Sequence, residues 1–444
     1  MGKQKIIVIG GGLAGVEACW QASKRGIDVE LLEMRPAVMT EAHTTGFLGE
    51  LVCSNSLGAT QLSTASGLLK EELKMLDSFF LRIAEKNRVP AGSSFSVDRL
   101  QLAKDISEEI QKIPNITIIN REVKEIPVTD SPVIIATGPL TSDDFAKNLT
   151  KLTMRKNLFF YDATSPIINA ETIDFDKVFM ASRYDKGEAD FVNIPLDEAQ
   201  YTEFINDLLT AERVEIKDLE KNIFFDACLP IEEIACRGEK SLAFGPLKPV
   251  GLVNPNTNQM PYAVIQLRQD DLKKNFYQMV GFQTRLKWGE QKRIFRKLPG
   301  LEKAEFERYG RMHRNTYISA PLIINKFYQC KFSPNIFFAG QICGVEGYVE
   351  SICSGLIAGI FASQRLLNKT LYNLPETTAS GALINYVSQS DWRNFKPTRF
   401  SFGLLPEVET EAGKRRKLRK KEKKELKAKI ALENLAKWIK KAEI

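Results

Sequence analysis

The stretch KIIVIGGGLAGVEACWQASKRGIDVELLEMRP at residues 5–36 constrains this chain more than any other. A β-branched run from Ile6 to Ile9 stops at Gly10, Gly11 and Gly12, and Gly15 follows. The pattern predicts a strand, a tight turn, a helix to about Lys24, and a second strand, Val29 to Leu32, ending on Glu33. That spacing suits a bound dinucleotide. Gly10 allows the turn and Gly12 lets the backbone approach a pyrophosphate. Gly15 lets helix and strand pack, so that the helix N-terminus at Leu13 and Ala14 meets the phosphate charge. Glu33 lies 18 residues after Gly15, where a carboxylate accepts hydrogen bonds from a ribose and repels a 2′-phosphate.

At 444 residues the chain is long enough for two or three domains. No apolar run approaches the roughly 20 residues that span a bilayer. The first strand begins almost at once, leaving no room for a signal peptide. The seven cysteines (19, 53, 228, 236, 330, 343, 353) contain no CxxC pair, which predicts reduced thiols in a cytoplasmic protein. With only His43 and His313 and no clustered thiols, no metal site is expected. A Ser/His/Asp hydrolase is not expected either, since neither histidine has a matching nucleophile elbow. The net charge of +7 is uneven, because residues 414–444 hold 14 Lys/Arg and four Glu, a local +10. That tail suits a polyanionic partner. Equally, its apolar stripe (Ala428, Leu432, Leu435, Ile439) suits a helix docked on the body.

Two later segments return to the nucleotide texture. SPVIIATGPL at 131–140 is a buried strand running into a turn at Gly138, and NIFFAGQICGVEGYVESICSGLIAG at 335–359 is a strand, a turn at Gly340 and Gln341, and a long helix. Flavin enzymes of the glutathione reductase type carry an acid where Gln341 stands. Three separated pieces converging on one nucleotide favour FAD over NAD. The expected fold is therefore α/β: a Rossmann-type FAD-binding domain with an inserted α+β substrate domain and a basic C-terminal helical tail. The expected boundaries are 1–194, 195–315, 316–406 and 407–444.

Cys53, in the polar LVCSNSLG, and Cys228, in FFDACLPIEEIACRG, stand out from the other thiols. Cys19 reads as a core filler, and Cys343 is expected near the flavin. The segments GGGLAGVEACWQ, MTEAHTTGF…ELVCSNSLG, LLKEELKMLDS, ACLPIEEIACRG, FGPLKPVGL, GFQTRLKWGEQKRIFRKLPGLE, YGRMHRNTYI, GQICGVEGYVES and FGLLP occur in this order. Together they resemble the TrmFO family of folate- and FAD-dependent tRNA (uracil-5-)-methyltransferases, over roughly residues 3–406. The GQ…G…GY turn is similar to that of the related MnmG/GidA flavoproteins. The resemblance implies C5-methylation of a T-loop uridine, with 5,10-methylenetetrahydrofolate as carbon donor and FAD, reduced by NADPH or NADH, as hydride donor. It implies Cys228 as the nucleophile on C6 and Cys53 near the flavin, as a general acid/base or a protector of the nucleophile. Arg285, Lys287, Trp288 and Arg293, with His313 in a second cluster, are the candidates for RNA or folate binding; a solvated, salt-bridged helix face is the plainer reading.

The chain departs from the family at FKPTRFS before FGLLP, at Cys343, Ile352 and Cys353 in the flavin turn, and in its basic tail. A ribosomal-RNA uridine stays open as the substrate. So do an NAD(P)H-flavin oxidoreductase and a flavin-containing RNA-binding factor. The oligomeric state is also open.

Overall fold

The computed structural model describes residues 5–154, 158–185, 188–215, 229–407 and 419–444. Its first layer is a five-stranded sheet in the order Ile336–Phe338, Val133–Ile135, Lys5–Ile9, Asp28–Glu33, Ile116–Asn120, all parallel. Ile336–Phe338, Val133–Ile135 and Lys5–Ile9 are short apolar runs because both faces of the sheet are covered there, and such runs pair in parallel when helices supply the crossovers.

Helices Leu13–Ser23 and Tyr348–Leu366 pack against each other beside this sheet. Their contact is close because it is made of small residues. A Cβ added at Gly355 would lie 2.1 Å from the Ala14 carbonyl oxygen, and one at Gly359 would lie 2.9 Å from Ala18 Cα. The chain's beginning is thus fixed against a helix more than 330 residues later.

The second layer is a six-stranded antiparallel sheet ordered Phe179–Ala181, Phe191–Leu196, Ala263–Gln269, Phe276–Met279, Ile167–Asn169, Phe306–Arg308. It takes strands from both sides of residue 195. Its core, from Ile168 to Ala304, is separate from the larger core, which unites residues 6–160 with 317–442. A two-stranded ribbon, Leu158–Ala163 with Met312–Tyr317, carries the chain out to this unit and back. A small sheet of Ser56–Ala59, Ser94–Val97 and Arg88–Val89 flanks the first unit.

Two buried carboxylates pin helices to this frame. Glu17 accepts from Ser78 Oγ and from the N–H groups of Phe79 and Phe80 at 2.9–3.1 Å, at the start of helix Phe79–Lys86. Glu72 does the same for helix Ala379–Gln389, accepting from Ala379 N (2.6 Å), Ser380 N (2.8 Å) and Ser380 Oγ (2.7 Å). Burial pushes both carboxyls up to about 7, against the lowering effect of these donors.

The basic tail ends in helix Lys420–Ala442, which docks on the body through Ala428, Ala431, Leu435 and Trp438. Leu432 and Ile439 of the expected stripe are half-buried beside them. Trp438 Nε1 donates to the Tyr372 carbonyl (3.0 Å), and Gln364 Nε2 donates to that of Ala442 (3.0 Å). Among the described residues no helix is long and apolar enough to cross a membrane.

Candidate active site

The carboxyl ends of the parallel strands open into a cleft. Its wall includes Gly10, Gly12, Leu13, Ala14, Glu33, Gly138, Gly340 and Gln341. The three sequence segments read as nucleotide-binding therefore meet on one surface. Gly10 (φ +99°) turns so tightly under strand Val133–Ile135 that a Cβ would lie 2.5 Å from the Ala136 carbonyl oxygen. At Gly12 and Gly138 an added Cβ would meet no protein atom within 4 Å. These two positions leave the backbone bare toward the cleft. Helix Leu13–Ser23 has no side-chain cap, so its first N–H groups suit an anion. Gly11 and Gly15 shape the turn from behind. A Cβ at Gly15 would lie 1.8 Å from the Gly10 carbonyl oxygen, and one at Gly11 would lie 2.5 Å from Leu48 Cδ2.

Glu33 is buried and already bonded. It accepts from Gly11 N (2.6 Å), Arg35 N (2.9 Å) and Arg35 Nε (2.9 Å). Burial opposes its charge, but the Arg35 guanidinium and these N–H groups outweigh burial and hold its carboxyl below the usual range. Arg35 also reaches Glu50 (3.5 Å), whose carboxylate accepts from the backbone and hydroxyls of Thr44 and Thr45. This network fixes residues 40–50 over the cleft. Burial, with Arg35 next, draws His43 down to about 4 and keeps it neutral at neutral pH. The charge distribution and the bare glycines fit a dinucleotide such as FAD.

Gln341 takes its place by donating from Nε2 to Glu346. Burial, then the neighbouring Asp162, pushes Glu346 up to about 8. Cys343 is fully buried in the same turn, its Sγ 3.0 Å from the Gly340 carbonyl oxygen.

Cys53 is half-buried on a loop at the cleft wall, next to Val52, which lines the cleft. Four contacts hold that loop. Tyr348 Oη, at the start of the long helix and also in the cleft wall, accepts from Cys53 N (2.7 Å) and Ser54 N (3.0 Å). Gln278 Nε2 donates to the Cys53 carbonyl (2.9 Å) and Arg308 Nη2 to that of Val52 (2.7 Å). The loop therefore stands where the two units meet, with Cys53 Sγ 3.8 Å from the Ala163 carbonyl oxygen. Tyr348, Gln278 and Arg308 are not visible from the ELVCSNS motif, because all lie more than 220 residues downstream. Cys228 lies outside the described residues. Just after it, helix Ile231–Ala235 is tied to the second unit by Glu232, which accepts from Thr284 Oγ1 and Arg285 N at 2.8 Å.

The candidate cations of the second unit are matched by carboxylates. Arg285 pairs with Glu233 (2.5 Å), Lys287 with Glu212 (2.7 Å), and Arg293 with Asp207 and Glu290 (2.7 Å each). Trp288 is exposed, stacked on Tyr309 (5.7 Å, 16°) with the Arg311 guanidinium 4.9 Å above its ring. His313 is buried in the ribbon opposite Asp162, away from that stack, and burial lowers its pKa. Among the described residues, no group of His, Cys, Asp and Glu is placed to hold a metal.

Residues 5–370 match the family described as glucose inhibited division protein A. The chain is 49% identical over 423 residues to a methylenetetrahydrofolate–tRNA-(uracil-5-)-methyltransferase TrmFO of Natranaerobius thermophilus, covering 95% of this chain and 98% of that one. It is 50% identical over 408 residues to the TrmFO of Bacillus subtilis, covering 92% and 93%. Among solved structures, GidA of Aquifex aeolicus superposes with a TM-score of 0.67 over 99% of this chain and 76% of its own, at 16% identity, a likeness of fold alone.

Proposed function

We infer from membership in the TrmFO family, to which this chain belongs within the glucose inhibited division protein A group, that it methylates C5 of a tRNA uridine. Methylenetetrahydrofolate is the carbon donor and FAD the resident cofactor, with NADPH or NADH as the visiting reductant. The observation that carries this reading is Cys53, held at the wall of the nucleotide cleft by groups from both units. A thiol carried on backbone fixed there serves chemistry on a substrate that lies against the cofactor.

C5 of uracil is a poor nucleophile until a thiolate adds to C6 and raises electron density at C5. C5 then bonds to the methylene carbon of the folate, and loss of the C5 proton expels the folate nitrogen as tetrahydrofolate, leaving an exocyclic methylene. FAD held along Gly10, Gly12, Gly138 and Gly340 would, when reduced, be the source of the hydride needed to turn that methylene into methyl as the thiolate leaves. In this reading Cys228 is the nucleophile. Cys53 handles a proton beside the cofactor or shields the nucleophile, its backbone fixed by Tyr348 and Gln278. Gly10, Gly12, Gly138, Gly340 and Gln341 form the FAD bed, and the Glu33 carboxylate faces the ribose. Trp288, backed by Tyr309 and Arg311, offers an exposed face for a base or pterin, while Arg285, Lys287 and Arg293 stay engaged with their carboxylates. The T-loop uridine is the favoured target.

The test follows label from methylenetetrahydrofolate into RNA, with 5-methyluridine then mapped by mass in tRNA and rRNA. Cys228→Ala is expected to reduce transfer by at least ~10³-fold, the scale of losing a covalent nucleophile, with flavin content unchanged. Full transfer by Cys228→Ala would remove that thiol from the mechanism. Label appearing only in rRNA would move the substrate there.

A further inference from the structure

Behind the Cys53 loop three arginines converge from three separate elements. Arg99 opens helix Arg99–Gln111, Arg268 lies in strand Ala263–Gln269, and Arg308 ends strand Phe306–Arg308. Each has one firm partner. Arg99 Nη2 pairs with Asp270 Oδ2 (2.6 Å), Arg268 Nη2 donates to Gln278 Oε1 (2.7 Å), and Arg308 Nη2 donates to the Val52 carbonyl (2.7 Å). Each also keeps a buried nitrogen with no hydrogen-bond partner among the described residues: Nη1 of Arg99, Nε of Arg268 and Nε of Arg308, against one unpartnered acceptor, Asp270 Oδ1. The group thus holds three cations to the one carboxylate of Asp270. Burial, and then repulsion from Arg99, draws the Arg308 guanidinium down to about 10, so it remains cationic at neutral pH. Excess positive charge with unsatisfied donors is costly away from water unless an anion completes it.

We propose that Arg99, Arg268 and Arg308 form an oxyanion recess that binds the phosphodiester on the 5′ side of the target uridine. The proposal rests on the tRNA reading above. Guanidinium forks match phosphate oxygens in geometry and charge. The placement beside Cys53 selects which phosphate. In the anti conformation, C6, the uracil atom a thiolate attacks, is the ring carbon turned toward the nucleotide's own 5′-phosphate. Cys53, read above as the shield of that nucleophile, attends the same edge of the base, so a recess joined to its loop through Val52 and through Gln278 suits the phosphate of that nucleotide. The other anionic substrate, the folate, carries its carboxylates at the end remote from its reactive pterin. The recess then fixes the base in register with the cleft, as phosphate contacts do elsewhere.

The test is equilibrium binding of substrate tRNA to the flavin-loaded protein. One tRNA carries a neutral methylphosphonate at the phosphodiester 5′ of the target uridine, and a control carries it two linkages away. For the wild-type chain, the neutral linkage at the target is expected to weaken binding on the order of tenfold, and the control linkage to weaken it much less. Arg268→Gln should bind ordinary tRNA about tenfold more weakly and show no further loss with the neutral linkage. Arg308→Gln serves the same purpose if Arg268→Gln does not fold. Equal wild-type affinity for charged and neutral linkages would overturn the proposal. So would additive losses, or a loss of folate affinity in place of tRNA affinity. Wild-type transfer of label into tRNA, measured alongside, judges the methylation reading separately: a chain that binds through the recess yet transfers nothing would sink that reading and leave the recess standing.

Discussion

Gly12 and Gly15 lie three residues apart in one turn, yet a methyl group added at each meets different surroundings. At Gly12, with φ −75° and ψ −168°, an alanine fits the backbone and touches no protein atom. Gly12→Ala should therefore fold with stability within about 0.5 kcal/mol of the flavin-free wild type, while losing most of its retained flavin. At Gly15 the same methyl falls on the Gly10 carbonyl, and Gly15→Ala should cost about 3 kcal/mol or more in the fold itself. Flavin absorbance per chain and denaturant unfolding separate the two, and full flavin content in Gly12→Ala would displace the cofactor from this wall. Both glycines were legible because their reasons are local. The surroundings of Cys53 were not, since Gln278, Arg308 and Tyr348 reach it from over 220 residues away. Shorter separations, of 52, 75 and 86 residues, hid Glu233, Glu212 and Asp207 opposite Arg285, Lys287 and Arg293. A cluster of cations in sequence says nothing of the acids that fold against it.

Helix Ala379–Gln389 shows what can be read from an element and what cannot. Its cap, Thr378, which accepts from Gly381 N, is a local signal. The Glu72 carboxylate bound to its first N–H groups lies 307 residues upstream. That carboxyl sits at about 7 in the fold against an ordinary value of 4.5. Between those two values the unfolded chain gives up its proton first and binds fewer protons than the folded one. Stability from this group is therefore full below about pH 4.5, falls as pH rises toward 7, and is level above. Glu72→Gln removes the titration and keeps an acceptor for Ala379 N. The difference in unfolding free energy between pH 5 and pH 8 should shrink by on the order of 2–3 kcal/mol relative to wild type. An undiminished difference would mean that Glu72 ionises in the fold as freely as in the unfolded chain.

On the scale of the whole molecule, the docked tail and the divided core set stability and the order of folding. Helix Lys420–Ala442 covers the larger core with Leu435 and Trp438, the latter edge-on to Phe361. Truncation after Gly413 should lower the melting temperature by about 5 °C or more. Its effect on tRNA affinity across salt reports how much the outward lysines add. An unchanged melting temperature would show that the helix contributes nothing to the body. The α/β class and the tail's stripe were readable from periodicity, whereas the pairing of Trp438 with Tyr372 and Phe361 was not, being set by docking. The division of the core also orders events during synthesis. The second unit draws its core from one unbroken run, residues 168–306, and is complete when that run has left the ribosome. The nucleotide sheet must wait for Ile336–Phe338 to cover Val133–Ile135. Through the translation of some two hundred residues the nascent chain carries that strand with a bare edge, open to pairing with a neighbour. It has no floor at Gly340 for a cofactor until the edge is closed.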